Sequence, residues 1–156
     1  MVLKEINKDN EIKEISRLAN IIWNEAYKEL LSKNQITYML EKYLSFNAIK
    51  TNISEGYKYT LLVENNCNIG FMAYIIYENY IFLSKLYILN EYMDKGFGSQ
   101  SINYLKKYNL PIELTVNKYN INAYNKYLHL GFNVIDSVVT DIGNGYVMDD
   151  YIMRKK

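Results

Sequence analysis

The sequence predicts an α/β chain, of the α+β kind, with a mixed central sheet, and three observations carry that expectation. Three β-rich runs, Tyr57 to Val63, Ile69 to Tyr77 and Tyr80 to Leu89, follow one another across short polar turns, the pattern of antiparallel hairpins. The third run meets Gly96-Phe97-Gly98 and a helical pattern, and a further strand opens at Pro111, which makes a βαβ unit with two parallel strands. Ahead of the hairpins, apolar residues recur at helical spacing. The expected total is about six to seven strands and about four helices, antiparallel in the first half and parallel around the glycine turn.

Residues 1 to 7 alternate Val2, Lys4 and Ile6 against Leu3 and Glu5, which suits a short first strand. Asp9 or Asn10 is placed to cap a helix whose positions Ile12, Ile15, Leu18, Ile22 and Ala26 line one face as far as Tyr27. Ser32-x-x-Gln35 reads as a capping box, and Ile36, Met39, Leu40 and Tyr43 continue it as a second amphipathic helix. Residues 47 to 55 add a short helical turn closed by Gly56. Asn65 to Asn68 and Glu78-Asn79 join the three strands that follow. The helix from Phe97 to Tyr108 cannot continue through Pro111, which opens the strand Ile112 to Val116. A helix near Asn120 to Leu130 follows. Phe132 to Val139, the Gly143-Asn144-Gly145 turn and Tyr146 to Met153 then read as a terminal hairpin.

The chain of 156 residues fits one domain, 1–156, without a second core. A net charge of +1 leaves no electrostatic footprint for nucleic acid or an anionic membrane, so a small discrete ligand is the expected partner. The single cysteine, Cys67, cannot form an internal disulfide, and the start lacks an apolar export or membrane segment, so the expected location is cytoplasmic. The 17 tyrosines follow the general Asn, Ile, Lys and Tyr bias and are not each given a role.

The glycine turn is where chemistry enters. The first turn of a helix leaves backbone N–H groups unpaired at the positive end of the macrodipole, so an anion is stabilised there without a cationic side chain. Gly96 and Gly98 let a phosphate approach the backbone closely. The run lacks the Gly-Lys-Ser/Thr ending of a nucleotide triphosphatase loop, and also the third glycine and following acid of a dinucleotide fingerprint, which leaves another pyrophosphate carrier.

Met93-Asp94-Lys95-Gly96-Phe97-Gly98 resembles the Gln/Arg-x-x-Gly-x-Gly/Ala loop of the GNAT superfamily of acetyl-CoA dependent N-acetyltransferases, departing from it at Met93. Asn120-x-x-Ala123-x-x-x-Tyr127-x-x-x-Gly131-Phe132 is similar to that family's second motif, and the tail from Gly143 to Met153 resembles the end of many bacterial members. The resemblance implies a GNAT-like fold, acetyl-CoA as cosubstrate and an acyltransferase acting on a small amine. It also implies cofactor contacts from Leu86, Tyr87, Ile88, Met93, Asp94, Lys95, Gly96, Phe97, Gly98, Ser99, Asn120 and Tyr127. In it a backbone N–H of about Leu86 to Ile88 polarises the acyl carbonyl, Tyr127 serves as general acid near the sulfur, and no metal is used. The same residues also read as local structure: Asn120 as a cap, Tyr127 as a core ring, Gly131 as a helix end.

Acyl transfer to an amine also needs a base, and Tyr80 to Leu89 holds no carboxylate. Asp150 is the preferred candidate, with Glu64, Glu78 and Asp149 as alternatives reached through water. An ordinary Tyr127 pKa near 10 suits a donor to a thiolate. His129 lies about 200° around the helix from Tyr127 and cannot share its site. Cys67 has no flanking base and reads as a turn residue. Lys95, Lys118 and Lys126 flank the two motifs as cations for phosphate or as ordinary surface lysines. Trp23, Tyr27 and Tyr38 belong to an aromatic segment that resembles the family's acceptor-pocket lining and suits a cationic amine such as a polyamine. A homodimer is compatible with this picture. The competing expectations are an acyl-CoA binding sensor without turnover, and an enzyme acting on a peptide or protein amine.

Overall fold

In the computed structural model, which describes residues 1–156, one seven-stranded sheet runs in the order β1-β2-β3-β4-β5-β7-β6. The strands are β1 (Val2–Ile6), β2 (Lys58–Glu64), β3 (Cys67–Ile76), β4 (Ile81–Ile88), β5 (Ile112–Asn117), β6 (Asn133–Gly143) and β7 (Tyr146–Lys155). The helices are α1 (Asp9–Ala26), α2 (Lys33–Leu44), α3 (Phe46–Ser54), α4 (Phe97–Leu105) and α5 (Ile121–His129). All strand pairs are antiparallel except β4 with β5. The mixed sheet with one parallel pair is the expected one.

Local chemistry explains most of the element ends. Ser32 caps α2 by accepting from the Gln35 N–H at 3.1 Å, the first half of the expected capping box, while the Gln35 side chain turns to Met39 instead of back to Ser32. The turn between β2 and β3 has both Asn65 and Asn66 at positive φ, 49° and 63°, which asparagine tolerates better than most residues. Several boundaries differ from expectation, three of them with a clear local cause. Helix α1 is capped at Lys8 rather than Asp9 or Asn10, because Glu11 reaches back to the Lys8 N–H at 3.1 Å. The turn at 47 to 55 is a full helix, since Ser45 caps it by accepting from Ala48 at 3.2 Å. Strand β6 continues to Gly143, four residues beyond Val139, because its pairing with β7 outlasts its apolar pattern.

The two faces of the sheet bury separate cores. Helices α1, α2 and α3 cover one face through Ile15, Leu18, Ile22, Leu40, Leu44 and Ile49, against Tyr59, Leu61, Phe71 and Ala73. On the other face Phe97, Ile102, Leu105 and Phe132 pack against Leu62, Met72, Leu83, Leu114 and Met153. A bulge at Ser84, between the pairs Tyr74 with Leu83 and Ala73 with Lys85, shifts the pleat of β4. Leu83 and Leu86 thereby keep to one face, while Lys85 and Tyr87 turn toward the α1 side. No helix is long and apolar enough to cross a membrane.

Candidate active site

The sheet opens between its two parallel strands. β4 pairs with β5 only at Ile81 with Ile112 and Phe82 with Glu113, so from Ser84 onward β4 is held on one edge alone. The Leu89 N–H donates to Ile69 on β3 at 2.8 Å. Because backbone N–H directions alternate along a strand, the Tyr87 N–H also faces β3, and those of Leu86 and Ile88 face the opening. Of the three strand amides expected to serve, two remain available. Tyr87 contributes its side chain instead.

The opening ends at the glycine turn. Asp94 and Gly96 take left-handed conformations, φ 61° and 84°, and Gly96 forms the cap of α4. Gln100 N–H is the first to close a turn, on the Gly96 carbonyl at 3.1 Å, so the amides of Phe97, Gly98 and Ser99 precede the first helical bond. A Cβ added at Gly96 or Gly98 would meet no atom within 4 Å, so the loop forms an open cradle. The Phe97 side chain is buried near Tyr92, with ring centroids 6.4 Å apart, and only its backbone faces the loop. Met93 is 36% exposed and brings no polar group. Unpaired amides, open space where a Cβ would be and a splayed strand edge fit the pyrophosphate and pantetheine of acetyl-CoA.

Beside the opening a second set of groups converges, Trp23, Tyr27 and Tyr87 from the α1 face and Tyr127 from the opposite one. Trp23 near the end of α1 packs on Tyr27 at 4.6 Å and on Tyr87 at 5.7 Å between centroids. The Tyr27 hydroxyl faces those of Tyr87 and the side chain of Asn120, and Tyr127 lies close enough to influence both tyrosines. Asn120 meanwhile caps α5 by accepting from the Ala123 N–H at 3.2 Å, as its reading as a cap requires. Burial raises the hydroxyl pKa of Tyr27, Tyr87 and Tyr127 above the ordinary tyrosine range. The ordinary value near 10 expected for Tyr127 therefore does not apply. Its hydroxyl stays protonated throughout the working pH range, as a hydrogen-bond donor.

Asp150 is brought here by strand pairing, since β7 sets it opposite Asn117 at the end of β5. It is 8% exposed, and burial together with neighbouring Asp149 pushes its carboxyl up to about 6. Asp149 points to the other face and pairs with Lys118 at 2.9 Å. The other candidate bases lie elsewhere. Glu64 is bound to the Met1 amino group at 3.2 Å, and Glu78 sits in the turn at the far end of β4. His129 is exposed at the end of α5.

Two expected residues have other occupations. The Tyr38 hydroxyl donates to the Ile142 carbonyl at 2.7 Å and its ring packs on Tyr146 at 5.4 Å, so it clasps α2 to the terminal hairpin. Lys95 lies over the Tyr92 ring at 5.8 Å. Cys67 opens β3, exposed, beside the Tyr92 hydroxyl and outside the tyrosine cluster. Sequence reasoning overlooked Lys85, whose ammonium lies 5.7 Å from the Tyr59 ring centre and donates to Ser84 at 3.1 Å. Burial pulls its pKa down to about 8. A lysine within an apolar strand was the available clue.

An anion cradle at a helix start, a strand edge left open and a protonated phenol beside a buried carboxylate are parts that an acyl-CoA-dependent transferase site needs. The comparisons agree. Residues 16–132 match the profile of the Acetyltransferase (GNAT) family, and the chain belongs to it. This places it among the acyltransferases, with acetyl-CoA as cosubstrate. The fold is similar to the PaiA N-acetyltransferase from Thermoplasma acidophilum solved with coenzyme A, with a TM-score of 0.80, 22% identity, and 100% of this chain and 99% of that one covered. It is also similar to a variant of the spermidine N-acetyltransferase SpeG from Vibrio cholerae, with a TM-score of 0.66, 20% identity, and 99% and 94% covered. At these identities the likeness shows the fold. An uncharacterized N-acetyltransferase from Staphylococcus haemolyticus is 43% identical over 37 residues, and that stretch spans 24% of this chain and 25% of the relative.

Proposed function

We propose that the protein, as a single domain over residues 1–156, transfers the acetyl group of acetyl-CoA directly to the primary amine of a small cationic acceptor. The observation that carries this reading is the convergence of Asp150, Tyr27, Tyr87 and Tyr127 beside the open edge of β4. Acetyl-CoA supplies the activated thioester. The amides of Phe97, Gly98 and Ser99 hold its pyrophosphate, and the Leu86 or Ile88 N–H polarises the acyl carbonyl. Trp23, Tyr27 and Tyr87 form aromatic walls that accept a cation. Asp150 takes the ammonium proton, directly or through water, so that the nitrogen lone pair forms the new C–N bond as the C–S bond breaks, and the second proton that the nitrogen then sheds passes to water. Tyr127 donates a hydrogen bond to the departing sulfur, and the thiolate receives its proton from that hydroxyl or from water.

Two facts support the cationic acceptor. Asp150 is a carboxylate at neutral pH yet holds a proton better than an ordinary aspartate, and a structural neighbour is a spermidine acetyltransferase. The location proposed with this activity is the cytoplasm.

The test is kcat/KM for a panel of cationic, neutral and anionic amines from pH 7 to about 9. Polyamines or lysine-like amines should lead, with activity rising as the free amine, of pKa near 10, becomes available. A preference for anionic acceptors, or activity falling with pH, would overturn the assignment. A second reading is an acyl-CoA sensor without turnover, favoured by the apolar Met93 at the loop. Acetyl-CoA binding without labelled transfer to any amine in the panel would establish it.

A further inference from the structure

The cradle at the start of α4 is deficient in positive charge of its own. Met93 is apolar, Asp94 is acidic, and Lys95 lies over Tyr92. A pyrophosphate lodged on the amides of Phe97 to Ser99 would face the carboxylate of Asp94 in the same loop. One cation reaches that loop from outside. Lys126, on α5 across the opening, sets its ammonium 3.3 Å from the Asp94 carboxylate. No other ion pair or side-chain hydrogen bond joins the segment before α4 to α5. Asp94 is 80% exposed and Lys126 41%, so the pair is solvated and weakly held, and a competing anion can separate it.

We propose that the Asp94–Lys126 pair is an exchangeable latch across the mouth of the cofactor cleft, and that Lys126 leaves Asp94 for the pyrophosphate when acetyl-CoA binds. The free loop then carries a carboxylate that competes with the cofactor, and α5 supplies the cation the loop lacks. A doubly charged pyrophosphate outbids a single exposed carboxylate for one ammonium, because each charge adds to the attraction at short range. This inference rests on the pyrophosphate occupying the α4 cradle, and the experiment separates the two.

The experiment is calorimetric titration of CoA and of 3′-dephospho-CoA into the folded protein and its variants, over a range of salt. Lys126→Gln should weaken both ligands by the same factor, roughly five- to thirtyfold, and flatten the salt dependence. Asp94→Asn should tighten both by roughly two- to fivefold, since it removes the competitor and frees Lys126. The double variant should stay as much weaker than Asp94→Asn as Lys126→Gln is than the parent, or more. If Asp94→Asn weakens binding or leaves it unchanged, the pair is a structural clamp and the exchange is wrong. Recovery of parental affinity in the double variant would mean that Lys126 only neutralises Asp94. A loss in Lys126→Gln confined to CoA would move Lys126 to the 3′-phosphate. Gly98→Val serves as the control: if it leaves affinity unchanged, the cradle placement itself fails, whatever the lysine does.

Discussion

In the proposed mechanism the working groups on the cofactor side of the cleft are backbone amides from one continuous stretch, Leu86 to Ser99. On the acceptor side they are side chains gathered from four elements, Tyr27 at the end of α1, Tyr87 on β4, Tyr127 on α5 and Asp150 on β7. The first kind of site depends on what is missing, a strand partner and two Cβ atoms, so it tolerates most side-chain changes that do not intrude on the cradle. The second depends on functional groups held out of water, so removing a single oxygen or charge changes it while leaving the shape intact. Substitutions that keep shape should therefore damage the acceptor side most, and substitutions that add bulk should damage the cofactor side.

The largest effect is expected at Asp150. Asp150→Asn keeps the volume and removes the base, and should lower kcat at neutral pH by about two to three orders of magnitude with acetyl-CoA affinity preserved. Turnover close to that of the parent would exclude Asp150 as base. Tyr127→Phe should cost roughly ten- to a thousandfold in turnover, with water partly substituting, and again little in cofactor affinity. A loss seen only in affinity would assign the hydroxyl to binding and so blur the comparison.

Gly98→Val tests the other side, where the expected change is at least about tenfold in cofactor affinity. The open surroundings of Gly98 mean that the fold itself should accept the valine, so thermal unfolding of the unliganded variant should stay near that of the parent.

The same Asp150→Asn variant should also be more stable. The carboxyl is held at about 6 in the fold against an ordinary 3.8, so the folded chain binds the proton more tightly than the unfolded one. The stability this confers is complete below the unfolded value and is lost as pH rises from about 4 through about 6. At neutral pH the buried charge is a cost, and Asn should recover about 1–2 kcal/mol there, with the gain vanishing near pH 4. Denaturant melts at the two pH values give the answer, and a destabilised variant at pH 7 would show that the carboxylate is better solvated than its burial implies. The smallest effect is expected for Tyr38→Phe, which removes one hydrogen bond to Ile142 while Lys42 still donates to the same carbonyl. It should cost about 0.5–1.5 kcal/mol and leave acceptor preference unaltered. A changed preference would return Tyr38 to the acceptor pocket.

What the sequence determined by itself follows from local rules. The hairpins of β2, β3 and β4 were legible because their turns fall between β-rich runs. The α4 cradle was legible because two glycines between a strand and a helix start leave the helix amides open to an anion. Asn120 was legible as a cap because a cap is a contact between near neighbours. The tertiary structure decided what depends on distant partners. Pairing with β5 at Ile81 and Phe82 and its loss beyond them opened the cleft, and pairing of β7 with β5 lifted Asp150 out of water and raised its carboxyl. The bulge at Ser84 turned the Tyr87 side chain to the α1 side of the sheet when its backbone was the expected contribution, and the hairpin carbonyl of Ile142 drew Tyr38 away. Burial and strand register are properties of the assembled sheet, so no window of sequence contains them. The chemistry of a backbone site is therefore written locally, whereas that of a cluster of buried side chains exists only once the sheet has formed.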